Sequence, residues 1–364
     1  MSAKSIIAAG ERAGLGRQQQ SSSTSASEPF VSVVTPVYNT AEFLRDAIES
    51  VLAQSYGNFE YVISDNRSTD GSSEIAHEYE RLDSRVRVID HTEFLPQNGN
   101  YNRAMRYISP AAKYAKMVQA DDWIFPNCLQ ELVQMAERDP AIAIVGSYQL
   151  TGDRVDCRGI VCKDPAHPYS IVSGRDACRL YLLRDKYVFG TPNCQMWRAD
   201  LVRSRERFFR EDTIHADSEI CFEVLGPHKF GFVHSILGSA RLGNPSISVS
   251  IEDFSPELRH AYIIMMKYGR LHLTEAEFAY HSAKLKKKHY RWLAYNVVRR
   301  RDKKFWDFHE EGFRIAGDKL DRRMLMLLQV PRVGRWFMNP LSTLHSAGQL
   351  IADRLRRRDT SPIE

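Results

Sequence analysis

Cysteine is sparse in this 364-residue chain, and its six copies are scattered at positions 128, 157, 162, 178, 194 and 221. None forms a CxxC pair, and Cys157, Cys162 and His167 lack the second pair that a structural zinc site needs, so the pattern points to reduced thiols. No apolar run approaches the roughly 18 residues of a membrane span. The apolar stretch in MSAKSIIAAGERAGLGR is short and broken by Glu11, which predicts no secretory signal and a cytoplasmic protein. GxGxxG and GxxxxGK[ST] are both missing after the first apolar run, which argues against dinucleotide and P-loop binding. Neither sign of charge dominates: 50 Lys and Arg against 45 Asp and Glu leave a formal +5, a weak signal for an anionic partner.

At 43% hydrophobic residues the chain can bury a sizeable core. Residues 1–28 end in RQQQSSSTSASE and read as a disordered tail. From Phe30 the pattern alternates: the strand FVSVVTPVY, a helix capped by Thr40, the strand FEYVIS, a helix starting at Asp70-Gly71-Ser72, and the strand RVRVI. A helix over about 100–108, the run KYAKMVQA, a helix after Pro126 and the strand AIAIVGSY follow. Strand alternating with helix predicts an α/β fold, a doubly wound, mostly parallel sheet whose ligands bind at the carboxyl ends of the strands. Asp65-Asn-Arg-Ser-Thr-Asp70 and Asp121-Asp122 then fall at strand ends. The first is either a nucleotide contact or a helix-capping turn. The second is either a solvated turn or, because adjacent buried acids repel, half of a Mg²⁺ or Mn²⁺ diphosphate site.

In this order the motifs resemble family 2 glycosyltransferases with the GT-A fold, over about Phe30 to Ser250 and best in VSVVTPVYNTAEFLRDAIESVLAQSYGNFEYVISDNRSTDGS. The resemblance implies that Pro36, Val37 and Tyr38 line the nucleotide base, that Asp65 accepts a hydrogen bond from it, and that Asn66 belongs to the same nucleotide site. It places Asn98, Gly99 and Arg103 beside ribose and diphosphate, with Asp121 near sugar or ribose hydroxyls. Asp122 would hold the metal and Asp217 would be the general base, with Glu219 next in line. Asp217 reads equally well as an acid favoured by the dipole of a helix's first turn. The chain departs from the family pattern at Gln119, at Ala216 and at Arg241-Leu-Gly243, which lacks the family's histidine; His215 or His234 are candidate substitutes. Gly190-Thr-Pro-Asn193 with Trp197-Arg198 is either the acceptor side or a loop and an edge strand.

The boundaries expected are a tail over 1–28, a GT-A domain over 29–250 and a basic helical extension over 251–364. In the extension, Lys286 to Lys288 and Arg299 to Arg301 flank Tyr290, Trp292, Leu293, Val297 and Val298, and Leu341 to Arg358 reads as an amphipathic helix. This part is either a solvated scaffold or a surface for anionic lipid; no nucleic-acid module accompanies it. The function expected is inverting transfer from a nucleotide sugar, a UDP-sugar first, to a hydroxyl acceptor, lipid-linked or feeding surface polysaccharide. It would use a divalent metal, at the inner face of the membrane if docked there. Metal-dependent nucleotidyl transfer and a non-catalytic basic binding protein are the alternatives.

Overall fold

The computed structural model describes residues 28–157, 159–184, 188–213, 215–242, 252–299 and 301–328. The tail over 1–27, Gly243, Arg300 and the amphipathic stretch Leu341 to Arg358 lie outside the described residues. Two compact units divide the chain between Ser250 and Ile251.

The first unit is built on a ten-stranded sheet: β1 (Val31–Val37), β2 (Phe59–Asp65), β3 (Val86–Asp90), β4 (Tyr114–Met117), β5 (Trp123–Ile124), β6 (Ile142–Thr151), β7 (Arg154–Asp156), β8 (Tyr169–Ser173), β9 (Gln195–Arg198) and β10 (Lys229–Ala240). Its order is β3-β2-β1-β4-β9-β6-β10-β5, with β7 on β6 and β8 on β10. β3, β2, β1 and β4 are mutually parallel, as are β6 and β10, while β9 runs antiparallel to both its neighbours. Helices α1 (Ala41–Leu52), α2 (Ser72–Leu82), α3 (Gln97–Met105), α4 (Cys128–Ala136), α5 (Gly174–Arg184), α6 (Ala199–Arg203) and α7 (Ala216–Leu225) connect the strands. The fold is α/β with a mostly parallel central sheet, as the alternating pattern predicts.

β1 is buried along its whole length because it lies between β2 and β4, so its β-branched run needs no polar face. Pro36 sits in it without loss, since β4 pairs only as far as Val34↔Met117 and leaves Pro36 a neighbour on one side.

Three sequence expectations change. Thr40 precedes α1, but its side chain caps nothing; Ser72 Oγ accepts from Thr40 N and Asp70 Oδ2 from Ala41 N, both at 2.9 Å. The cap therefore comes from the loop after β2. α3 begins at Gln97, so Asn98 and Gly99 are helical rather than loop residues. Trp197-Arg198 belongs to β9, an interior strand between β4 and β6 and not an edge.

The second unit is helical: α8 (Pro256–His272), α9 (Glu275–Val298), α10 (Lys303–Ile315) and α11 (Arg322–Leu327). Thr274 and Glu277 form a reciprocal capping box that starts α9. Tyr262, Ile263, Tyr290, Leu293, Phe305 and Phe313 make its core. Tyr290 and Leu293 are thus fully buried, which removes them from any lipid-facing surface.

Candidate active site

The register brings Val37, Asp65 and Asp90 level across β1, β2 and β3, so the segments after these strands open on one side of the sheet. Two residues there take left-handed backbone, Asn39 at φ 50° and Arg67 at φ 67°. Such a conformation is strained for arginine and collects where a loop must hold one shape. The two loops brace each other: Asn39 Oδ1 accepts from Thr69 N at 2.8 Å and Ser68 Oγ from Asn39 N at 2.9 Å.

Asp65 is buried, and its Oδ2 accepts from Ser68 N at 3.0 Å while its buried Oδ1 has no partner among the described residues. A buried acceptor left unbonded costs about 1–3 kcal/mol, which a ligand donor would offset. Asn66, also buried, exchanges hydrogen bonds with the backbone of Leu95 at 2.8 and 3.0 Å and accepts from the Arg103 guanidinium. Arg103 donates further to Glu93 O at 2.9 Å, and burial lowers its pKa. Tyr38, next after β1, and Phe94, next before Leu95, are both 46% exposed, their rings 4.7 Å apart. Phe94 escaped the sequence reading because an aromatic in a polar loop carries no periodic signal.

Asn98 ties α3 to backbone much further along the chain. Its amide donates to Arg210 O at 2.8 Å and to Thr213 O, while Asn102 bonds the backbone N and O of Phe209, each at 2.7 Å. α3 therefore anchors the segment 209–213 that leads into α7. Gly99 is buried in α3, where a Cβ would press on Leu95 Cβ at 3.3 Å.

Asp121 and Asp122 follow β4 in a turn, Asp121 half-buried and Asp122 5% exposed. Burial, with Asp121 beside it, pushes the Asp122 carboxyl up to about 8, against a backbone hydrogen bond from Arg241 that favours the anion. Asp122 Oδ1 accepts from Arg241 N at 2.8 Å. Beneath the turn lies Lys116, fully buried in β4, its Nζ donating to Met117 O, Pro192 O and Asn193 O at 2.8, 3.1 and 2.6 Å. Lys116 ties the 3₁₀ turn Pro192–Cys194 under the site; Asn193 Nδ2 in turn donates to Trp123 O at 2.9 Å and Ser239 O at 3.0 Å. Gln119, just before the pair, donates to Tyr101 OH at 3.1 Å.

Among the described residues no group of three or more His, Cys, Asp and Glu converges as a metal cage. Two adjacent carboxylates nonetheless fit Mg²⁺ or Mn²⁺, which takes one or two carboxylates and completes its shell with phosphate and water. His234 does not add to the set: its ring nitrogens face Tyr148 OH at 2.9 Å and Ser170 Oγ at 2.8 Å. Asp217 stands in the first turn of α7, half-buried, its Oδ1 accepting from Ser218 N at 2.8 Å. Glu219 is fully buried, 3.4 Å from Arg210 Nε.

Residues 32–159, from β1 to just past β7, match the profile described as glycosyl transferase family 2. This stretch belongs to that family. The chain is 35% identical over 121 residues to the glycosyltransferase GlyG of Streptococcus pneumoniae, covering 33% of this chain and 39% of that protein. It is 33% identical over 131 residues to the putative teichuronic acid biosynthesis glycosyltransferase TuaG of Bacillus subtilis, covering 35% of this chain and 50% of that protein. The matched stretch spans half or less of these relatives' lengths. The fold likeness reaches further: TarS 1–349 of S. aureus, in its UDP-GlcNAc complex, superposes with a TM-score of 0.57 at 15% identity, over 78% of this chain and 79% of that one. The glycosyltransferase fold is of the GT-A type.

Proposed function

We propose that the protein is an inverting glycosyltransferase that moves a sugar from a nucleoside diphosphate sugar to a hydroxyl acceptor with the help of Mg²⁺ or Mn²⁺. The observation that carries this reading is the occurrence together, at the carboxyl ends of β1, β2 and β4, of an unbonded buried Asp65 oxygen, the exposed ring of Tyr38 and the Asp121–Asp122 pair with Asp122 buried. Tyr38 offers a face to a nucleobase, and Asp65 accepts from the base edge. Arg103, held by Asn66, sets positive charge on the diphosphate side. Asp122, with Asp121, would hold the metal, which supplies Lewis acidity to the departing diphosphate. Asp217 takes the proton of the acceptor hydroxyl as its oxygen bonds the anomeric carbon and the carbon–phosphate-oxygen bond breaks, the electron pair leaving with the diphosphate.

UDP is the first choice of nucleotide, since TarS, with the same fold, is described with UDP and with UDP-GlcNAc. TuaG's description supports a surface polysaccharide as the product class. A thermal-shift panel of UDP-, GDP-, CMP- and dTDP-sugars, with and without Mn²⁺, tests this. A saturating donor at about 100 times its Kd should stabilise the protein by about 2.7 kcal/mol, more with metal than without. No shift with any donor would sink the reading, and release of pyrophosphate would favour nucleotidyl transfer.

An anionic membrane as partner is part of the same proposal, on a different face from the one the sequence suggests. Tyr290 and Leu293 are core residues and Lys286 is paired with Asp318 at 2.6 Å. Tyr280, Lys284, Lys287 and Arg291, exposed at helical spacing on α9, form the surface that suits acidic headgroups, each cation contributing about 1 kcal/mol. Sedimentation with phosphatidylserine vesicles should be salt-sensitive and lost on reversal of these three charges.

A further inference from the structure

We propose that Arg241 is the positioning residue of the Asp121–Asp122 turn, an inference that rests on the metal–diphosphate reading of that turn. Arg241 follows directly on β10, about 120 positions after the acids it touches. Its backbone N donates to Asp122 Oδ1 at 2.8 Å, its Nε to the Asp121 carbonyl at 3.0 Å, and one terminal nitrogen to Asp46 Oδ2 on α1 at 3.0 Å. The guanidinium also lies against two rings, 4.7 Å from the centre of Phe43 and 5.1 Å from that of Trp123.

Each contact constrains a different part of the turn. The backbone bond selects which Asp122 oxygen faces the protein, and Oδ2 has no hydrogen-bond partner among the described residues. The Nε bond fixes the peptide between the acids, hence the relative direction of their side chains. Asp46 and the two rings hold the guanidinium itself, so the turn is tied to α1 as well as to β10, which already pairs Ser239 with Trp123. Only a planar fork reaches the Asp121 carbonyl and the Asp46 carboxylate at once; a lysine keeps the charge and loses one of them. Arg241 thus stands to Asp122 as an outer partner stands to a ligand: it touches no substrate and orients the group that does.

The test measures Mn²⁺ uptake by electron paramagnetic resonance in the presence of UDP and, separately, GDP, alongside nucleotide affinity in EDTA. Arg241→Gln should weaken Mn²⁺ binding by about 10- to 100-fold, the range expected for an outer-shell partner, while metal-free nucleotide affinity stays near wild type. Arg241→Lys should recover little of the loss. Asp46→Asn, which removes only the outer anchor of the guanidinium from a partly exposed site, should weaken binding by about threefold to tenfold. Arg241→Gln with wild-type Mn²⁺ affinity, or with an equal loss of nucleotide binding in EDTA, overturns the inference. If Arg241→Gln does not fold, Asp46→Asn decides, and unchanged Mn²⁺ affinity in it overturns the inference. Wild-type protein that takes up no Mn²⁺ with either nucleotide overturns the metal reading and this inference together.

Discussion

At the strand ends of the first unit Asp65 and Asp122 are buried with acceptor oxygens left over, whereas in the second unit His289 and His309 are buried with their nitrogens turned to each other at 3.0 Å. The histidine pair is packed in rings: Phe313 stacks on His289 at 5.0 Å, and Phe305 lies 4.7 Å from His309. Both regions place polar groups out of water, at similar cost per group. In the second unit one nitrogen of each ring finds its partner in the other, while His289 Nδ1 and His309 Nε2 have none among the described residues and are closed in by aromatic rings. In the first unit the unbonded oxygen of Asp65 stands at a strand end, where the proposed ligand would supply its donor. Burial of a polar group alone says nothing of function; the direction of its unused lone pairs does.

Removal of the acid should break this comparison most sharply. Asp122→Ala is expected to lower turnover by about 10³-fold, because the charge on the departing diphosphate loses its counterweight. Its melting temperature should hold or rise, since the variant sheds a desolvated carboxyl beside a like charge. A fall in stability comparable with a core truncation would place Asp122 with the structural polar groups instead. Asp217→Asn should reduce kcat by about 10²-fold with donor affinity retained, measured by isothermal titration. Lost donor affinity would assign Asp217 to binding, and unchanged turnover would move the base elsewhere.

The smallest effect sharpens the other side. Burial, with the Arg259 guanidinium nearby, depresses His289 to about 4, and burial with His289 and Arg259 nearby depresses His309 to about 3, from an ordinary 6.5. Depressed folded values mean that the unfolded chain takes up protons first. The stability of the helical unit is therefore full above pH 6.5 and is lost as pH falls from there toward 4. At pH 5.5 the loss should be on the order of 1 kcal/mol per histidine, read as a lower urea midpoint; His309→Phe should flatten that dependence, and an unaltered slope would show that the pair does not titrate on unfolding.

Much of the first unit was legible in the sequence, because β1, α1, β2, α2 and β3 each carry their own periodicity between turn residues. The acids were legible for the same reason: Asp65 and Asp121-Asp122 punctuate apolar runs. Less legible were features set by distant chain. α3 starts three residues before the expected position because Asn98 and Asn102 bond Phe209, Arg210 and Thr213 backbone, which offsets the poor helix propensity of Asn and Gly. The positive groups near the acid pair, Lys116 and Arg241, were in view as letters. Nothing local distinguishes a buried lysine within KYAKMVQA, or an arginine about 120 positions downstream, as neighbours of that turn. The lipid-facing reading of Tyr290 and Leu293 failed because helical spacing fixes which residues share a face, not which face meets the core.

The place of β9 bears on how the protein is made. Residues 195–198 insert between β4 and β6, strands synthesised roughly 80 and 50 positions earlier, and the Pro192–Cys194 turn brings the carbonyls that Lys116 needs. Until that segment emerges from the ribosome, β4 has β1 alone and β6 has only its hairpin with β7 among the described strands. Two open edges would face each other across an unfilled slot, above a lysine stripped of two of its three acceptors. A fragment cut at residue 159, the limit of the family match, would keep that slot open for good. The recognisable motif is accordingly not a folding unit, and expression trials of shortened chains should start from lengths that reach beyond β10.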